Sequence, residues 1–231
     1  MKHLIFIPTQ NNGHILPELF KNAQLELKDM YFLIINDAST DNTIDFLNSL
    51  DFENLTFFNN MTAKGYGGVQ KMAYQYAIEN DFETVTMLHG DGQYPYQKIR
   101  ELIQALQRLP TTAMSFGSRI KGDPLAGGMP ILRYLVNRGL TKMQNIVLRS
   151  NLSEFHSGFR SYKVQVLKEL PFKDFSDNFL FDNQIIAALL KRQRGIEEIT
   201  IPTHYGVESS SISIYQSFLY TAGIVNSFFK K

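Results

Sequence analysis

The sequence predicts an α/β domain built on a mostly parallel sheet with helices on both faces. Short apolar, β-rich runs alternate with helix-period segments through the first half of the chain. Those runs lack the polar alternation of a half-exposed strand, as strands covered on both faces require. The 231 residues, 44% hydrophobic and 19% charged, have an ordinary globular balance and are long enough for one enlarged domain.

His3-Leu-Ile-Phe-Ile7 reads as a buried strand, Ile15 to Leu27 as a helix, Tyr31-Phe-Leu-Ile-Ile35 as a strand and Asp41 to Leu50 as a helix. Leu55 to Asn59 is the third strand and Gly68 to Glu79 the helix after it. Thr84 to Leu88, Tyr96 to Arg108 and Ala113 to Phe116 continue the alternation as strand, helix and strand. Lys121 to Gly128 is rich in Gly and Pro and reads as a mobile loop, followed by a helix over about 130–149. No internal repeat or clean linker interrupts the chain, so the second half is expected to complete the same domain. The division expected is a domain over 1–211 and an amphipathic helix over 212–231.

Composition narrows the partners. With 23 basic and 22 acidic side chains the net charge is +1, which provides no global field for nucleic acid. No cysteine is present, so disulfides, thiolate metal sites and cysteine nucleophiles are excluded, and any metal must bind oxygen or imidazole. The run Leu4-Ile-Phe-Ile7 stops at Pro8, short of a signal peptide's apolar region, and a cytoplasmic location is the default expectation.

The polar residues cluster where such a sheet binds ligands, beyond the carboxyl ends of its strands. Thr9-Gln-Asn-Asn-Gly13, Asn36-Asp-Ala-Ser-Thr-Asp41 and His89-Gly-Asp-Gly-Gln93 should converge on one rim. Asp37 is placed to accept hydrogen bonds from a base or ribose, whereas Asp41 is explained by helix capping alone. Lys64-Gly-Tyr-Gly-Gly68 precedes a helix and would admit phosphate at its N-terminus; the competing explanation is a flexible turn. Its spacing matches neither the dinucleotide fingerprint nor a Walker loop. His89, Asp91 and Gln93 could share a metal, Mg²⁺ or, if the imidazole ligates, Mn²⁺. An Asp-Gly turn accounts equally well for that stretch.

The ordered set of Ile7-Pro-Thr-Gln-Asn11, Asn36-Asp-Ala-Ser-Thr-Asp41, Lys64-Gly65, His89-Gly-Asp-Gly-Gln93, Gly117-Ser-Arg119, Met129-Pro130, Arg133, Asn137-Arg138 and Ser157-Gly-Phe-Arg160 resembles the family 2 glycosyltransferases. It is most similar to their polyprenyl-phosphate mannosyl- and glucosyltransferase-like branch. The resemblance implies a GT-A fold, Rossmann-like, and transfer of a sugar from a UDP- or GDP-sugar with a divalent metal, Mn²⁺ or Mg²⁺. It implies that Pro8, Gln10, Asn11 and Asp37 hold the nucleotide, that Lys64 and Gly65 approach phosphate, and that Asp91 with Gln93 holds the metal and diphosphate. Arg119, Arg133 and Arg160 would face an acceptor phosphate or the departing diphosphate. The chain departs from the family pattern at His89, where an acidic residue is usual, at Gln10 and Asn12, near the usual tyrosine and glutamate, and at Glu154, where an aspartate is usual.

Inverting transfer needs a nucleophile on the sugar face opposite the leaving group. A lipid phosphate is already anionic and needs positioning cations, whereas a glycan hydroxyl needs a carboxylate to take its proton. Asp182 is the base expected in that case, with Asp177 and Glu154 behind it. A catalytically weak nucleotide-sugar binding module and a nucleotidyltransferase are the alternatives at this level. At the tail, Tyr215, Phe218, Leu219, Ala222, Val225 and Phe229 fall on one helical stripe before Lys230-Lys231, so peripheral contact with the inner membrane face is weighed against packing on the domain's own core.

Overall fold

Alternation along the strands sets the layering. The computed structural model describes residues 2–202. In it β1 (His3–Thr9) sends Leu4 and Phe6 into one core and Ile5 and Ile7 into the other. β2 (Tyr31–Asp37) divides in the same way, with Leu33 and Ile35 opposite Phe32 and Ile34. With β3 (Leu55–Asn60), β4 (Thr84–Met87), β5 (Thr112–Ser118), β6 (Arg160–Lys163) and β7 (Gly195–Thr200) they form one sheet in the order β3-β2-β1-β4-β6-β5-β7.

One face is covered by α1 (Leu16–Glu26), α2 (Thr43–Asn48) and α4 (Ile99–Ala105). The other carries α3 (Gly65–Glu79), α6 (Val164–Leu167), α7 (Leu180–Lys191) and the C-terminal end of α5 (Ile131–Leu148). Pro17 stands in the first turn of α1, where its missing N–H costs nothing. The helix expected from Tyr96 to Arg108 is shorter. It opens with a 3-10 turn at Tyr96–Lys98 and closes on i to i+3 bonds at Gln107 and Arg108, because Pro110 forbids continuation before β5.

Two strands were not visible in the hydrophobic pattern. β7 joins the parallel edge beside β5, and β6 runs antiparallel between β4 and β5. The chain before β6 lies along the rim, with Ser153 Oγ 2.6 Å from Ser118 Oγ and the Gly117 amide donating to the Phe159 carbonyl at 2.9 Å. β6 therefore starts at the rim and descends, against its neighbours. The expected helix over 212–231 lies outside the described residues, and no helix among the described residues is long and apolar enough to cross a membrane.

Candidate active site at the carboxyl rim of the sheet

The loops after β1 and β2 are stitched together by side chains. Gln10 Nε2 donates to the Asp37 carbonyl at 2.8 Å, the Asn11 amide to Ser39 Oγ at 2.8 Å, and the Thr40 amide to Asn11 Oδ1 at 2.8 Å. Asp41 accepts from the Gly13 and Thr43 amides, a cross-loop tie and a turn into α2, whose N-cap is Asn42 rather than Asp41. Asn11 and Ala38 both take left-handed φ, 55° and 59°, a strained choice for residues with a Cβ. Pro8, Gln10, Asn11 and Asp37 thus share one edge of the rim.

Asp37 is buried, and its carboxylate organises the next loop. Oδ1 accepts from Asn60 Nδ2 at 2.9 Å and the Lys64 amide at 2.7 Å, while Oδ2 accepts the Gly65 amide at 3.0 Å. A carboxylate offers about four lone-pair sites, and these donors occupy three of them. The Gly67 and Gly68 amides donate to the Asp177 carbonyl at 2.8 and 3.4 Å. Four amides at the start of α3 are therefore engaged, and the expectation of a phosphate cradle built from them does not match the geometry. The glycines serve close packing instead: a Cβ on Gly67 would lie 2.3 Å from the Ser176 carbonyl oxygen, and one on Gly65 2.7 Å from that of Asp177. Gly65 also needs its φ of +78°. The Lys64 side chain is exposed at this edge.

The loop after β4 folds back on β1 through the Gly90 amide, 3.1 Å from the Pro8 carbonyl. Asp91 is half-buried there, its Oδ1 accepting the Gln93 amide at 3.1 Å across Gly92. Asp91 and Gln93 carry side-chain oxygens of the kind Mg²⁺ and Mn²⁺ accept, but no group of three or more His, Asp or Glu able to hold a metal ion occurs among the described residues. His89 does not join them as expected. Its ring packs edge-on against Tyr94 (5.0 Å) and Tyr66 (5.9 Å), and Nε2, shielded and without a hydrogen bond, points at Gly158, where a Cβ would approach it to 2.5 Å. Burial lowers the His89 pKa against the pull of Asp91, so the ring is neutral.

Three further candidates, Asp182, Arg160 and Glu154, are buried. Asp182 opens α7 but is buried: Oδ2 accepts Tyr66 Oη and Oδ1 accepts Gln70 Nε2, both at 2.9 Å, and Oδ1 lies 3.3 Å from Arg160 Nη1. Arg160, 1% exposed, gives Nε to the Ser157 carbonyl and Nη2 to that of Phe155. The expectation that Arg160 faces an acceptor is corrected by that burial, since the guanidinium is used to close the turn before β6. Glu154 is fully buried, accepting the Arg119 amide on Oε1 at 2.6 Å and Nη2 on Oε2 at 2.7 Å. Burial alone would raise the Glu154 pKa; the Arg119 charge and hydrogen bonds outweigh it and hold the carboxyl below its usual range. Glu154 is thus a positioning residue that aims Arg119. Arg133 lies half-buried in the first turn of α5.

Gln70 and Glu198 were absent from the sequence reading. Tyr66, Gln70 and Tyr74 stand four apart on α3, and Tyr74 Oη completes the chain by donating to Gln70 Oε1 at 2.7 Å; a lone amide on that aromatic stripe was the available signal. Glu198, on β7, accepts from Ser153 and pairs with Lys121 at 2.7 Å, tying the loop after β5 to the rim. Nothing local in Gly195–Thr200 announces this tie.

Comparison with known proteins agrees with this architecture. The family described as glycosyl transferase family 2 matches residues 4–171. An undecaprenyl-phosphate mannosyltransferase of Micrococcus luteus is 23% identical over 173 residues, 74% of this chain and 70% of that protein. A low-salt glycan biosynthesis hexosyltransferase of Haloferax volcanii is 29% identical over 163 residues, 68% of this chain but 37% of its own length. Among solved structures, glucosyl-3-phosphoglycerate synthase from Mycobacterium tuberculosis, in complex with Mn²⁺, uridine-diphosphate and phosphoglyceric acid, superposes with a TM-score of 0.68 at 11% identity, covering 97% of this chain and 78% of that one. The fold is GT-A, as the resemblance implied.

Proposed function

The chain belongs to glycosyl transferase family 2 and is a nucleotide-sugar glycosyltransferase, and from that premise we propose an inverting, divalent-metal-assisted transfer whose acceptor is a lipid phosphate. The observation that carries the acceptor class is the state of the candidate bases. Glu154 and Asp182 are buried and committed to Arg119 and to Tyr66, Gln70 and Arg160, while Asp177 is paired with Lys71 at 2.8 Å. An acceptor that arrives already anionic needs none of them.

Pro8, Gln10, Asn11 and Asp37 line the nucleoside edge, with Lys64 beside the phosphates. Asp91 and Gln93 would hold Mg²⁺ or Mn²⁺, which when bound offsets the charge that develops on the diphosphate. Arg119, aimed by Glu154, and Arg133 position the acceptor phosphate. One of its oxygens attacks the anomeric carbon as the bond to the diphosphate breaks. That electron pair leaves with the nucleoside diphosphate, and the configuration inverts. His89, neutral and wedged between two tyrosines, shapes the wall behind Asp91.

Family membership sets aside the nucleotidyltransferase alternative, and release of nucleoside diphosphate separates a transferase from a catalytically weak binding module. A panel of UDP- and GDP-sugars, each with and without Mn²⁺, tests the proposal when paired with a polyprenyl phosphate or a free sugar as acceptor. Nucleoside diphosphate released only with the lipid phosphate supports it; efficient transfer to the sugar hydroxyl alone would refute the acceptor class.

A further inference from the structure

α5 carries an apolar face left exposed among the described residues. Leu140, Thr141 and Leu148 turn inward, yet Ile131 is 66% exposed, Leu132 62%, Leu135 58% and Ile146 70%, with Met143 and the loop residue Leu125 also exposed. Leu132, Leu135, Gly139, Met143 and Ile146 recur at intervals of three and four, one continuous stripe along the helix. Scattered exposed leucines are ordinary; a stripe over four turns is an interaction surface.

Charge indicates what covers it. The eighteen residues of α5 include no Asp or Glu, and Arg138 and Lys142, followed by Arg149 at the C-cap, form a basic row flanking the stripe. Beside that row a cleft of about 850 Å³ is lined by Lys121, Arg138, Lys142, Asn145 and Ser150, with Glu198 paired to Lys121 at its wall. A helix apolar on one side and purely cationic on the next matches a bilayer surface bearing anionic headgroups, where side chains enter the acyl boundary and cations meet phosphates. Position agrees: α5 starts directly after the loop that leaves β5 at the active-site rim.

We propose that the exposed face of α5 docks this enzyme on an anionic membrane surface, so that the rim opens toward the bilayer. The inference deepens the lipid-phosphate reading and rests on it for its purpose, but docking is measured without transfer. The full chain is sedimented with vesicles of phosphatidylcholine alone and with added phosphatidylglycerol, at low and high salt. Binding is expected to the anionic vesicles and to weaken with salt. The triple variant Leu132→Gln, Leu135→Gln, Ile146→Gln changes only exposed side chains and should lower partitioning by about tenfold or more while binding of nucleoside diphosphate, read by calorimetry, stays unchanged. Arg138→Gln with Lys142→Gln should remove the preference for anionic lipid. No vesicle binding by the intact chain, or undiminished binding by the triple variant, which would place the contact elsewhere such as residues 203–231, overturns the proposal. So does conversion of a dimer to a monomer by the same variant, which would make a second copy the occupant. Loss of nucleotide binding with docking intact would instead count against the transferase reading.

Discussion

Asp182 and Asp91 have the same side chain, and their surroundings separate their tasks. Asp182 accepts from Tyr66 and Gln70 and faces a guanidinium with almost no solvent contact. Removing one charge of a buried pair leaves the other uncompensated, so Asp182→Asn should cost about 3 kcal/mol of stability in urea unfolding. Loss of a general base costs about 10²–10⁴-fold in rate. Transfer to a phosphate acceptor by the folded Asp182→Asn protein is therefore expected within about tenfold of wild type, and a loss in the general-base range would reinstate Asp182 as the base. Asp91 is half-buried with a single tie to the Gln93 amide. Asp91→Asn should leave the melting temperature unchanged and lower kcat on the order of 10²–10³-fold, the scale of a lost electrostatic contact to the leaving diphosphate. Full turnover in that variant would remove it from the metal site. The types of these residues were legible in the sequence, and their burial was not. Asp182, Arg160 and Glu154 look like reagents until their partners are seen, some of them as far as 116 positions away along the chain.

Two glycines show how an element's neighbours decide a residue's worth. Gly67 begins α3 against backbone: an added Cβ would stand 2.3 Å from the Ser176 carbonyl oxygen and 3.0 Å from that of Asn178. Gly67→Ala must push the segment before α7 away and should destabilise by about 1–3 kcal/mol. Gly139 lies mid-helix in α5 with nothing within 4 Å of such a Cβ. Gly139→Ala should stabilise by about 0.5–1 kcal/mol through helix propensity alone. Denaturant midpoints of the two variants check the pair, and equal shifts would contradict the packing account. The same contrast explains what the sequence showed of the elements. β1 and β2 were legible as apolar runs bounded by turn residues, and β3 and β4 as short β-rich runs between helix-period segments. β6 was hidden because Arg160-Ser-Tyr-Lys163 has no apolar run, and its antiparallel neighbours β4 and β5 are distant in the chain. The glycine-rich start of α3 was recognised as special, but its cause, contact with residues 176–178, is tertiary.

At the scale of the molecule, proton balance links the site to the fold. His3, His89 and His156 are all held neutral chiefly by burial, with the His156 pKa lowered to about 4 and its Nε2 shielded without a hydrogen bond. At pH 7 these rings are mostly uncharged in the fold and in the unfolded chain, so their contribution to the pH dependence of stability is small there. As the pH falls through 6.5 the unfolded chain takes up protons that the folded protein refuses. Stability is then lost progressively until the folded pKa is reached, about 4 for His156. The carboxylates held low, Glu154 among them, add their loss below the ordinary carboxylate range, so the histidine window lies above theirs. The melting temperature should therefore fall between pH 7 and pH 5, where His156 alone accounts for on the order of 1–2 kcal/mol. His156→Gln, which cannot take up a proton, should flatten that limb and leave the drop below pH 4 in place. An unchanged acid limb in His156→Gln would mean that the ring is already solvated, and with it the turn that presents Arg119 to the rim.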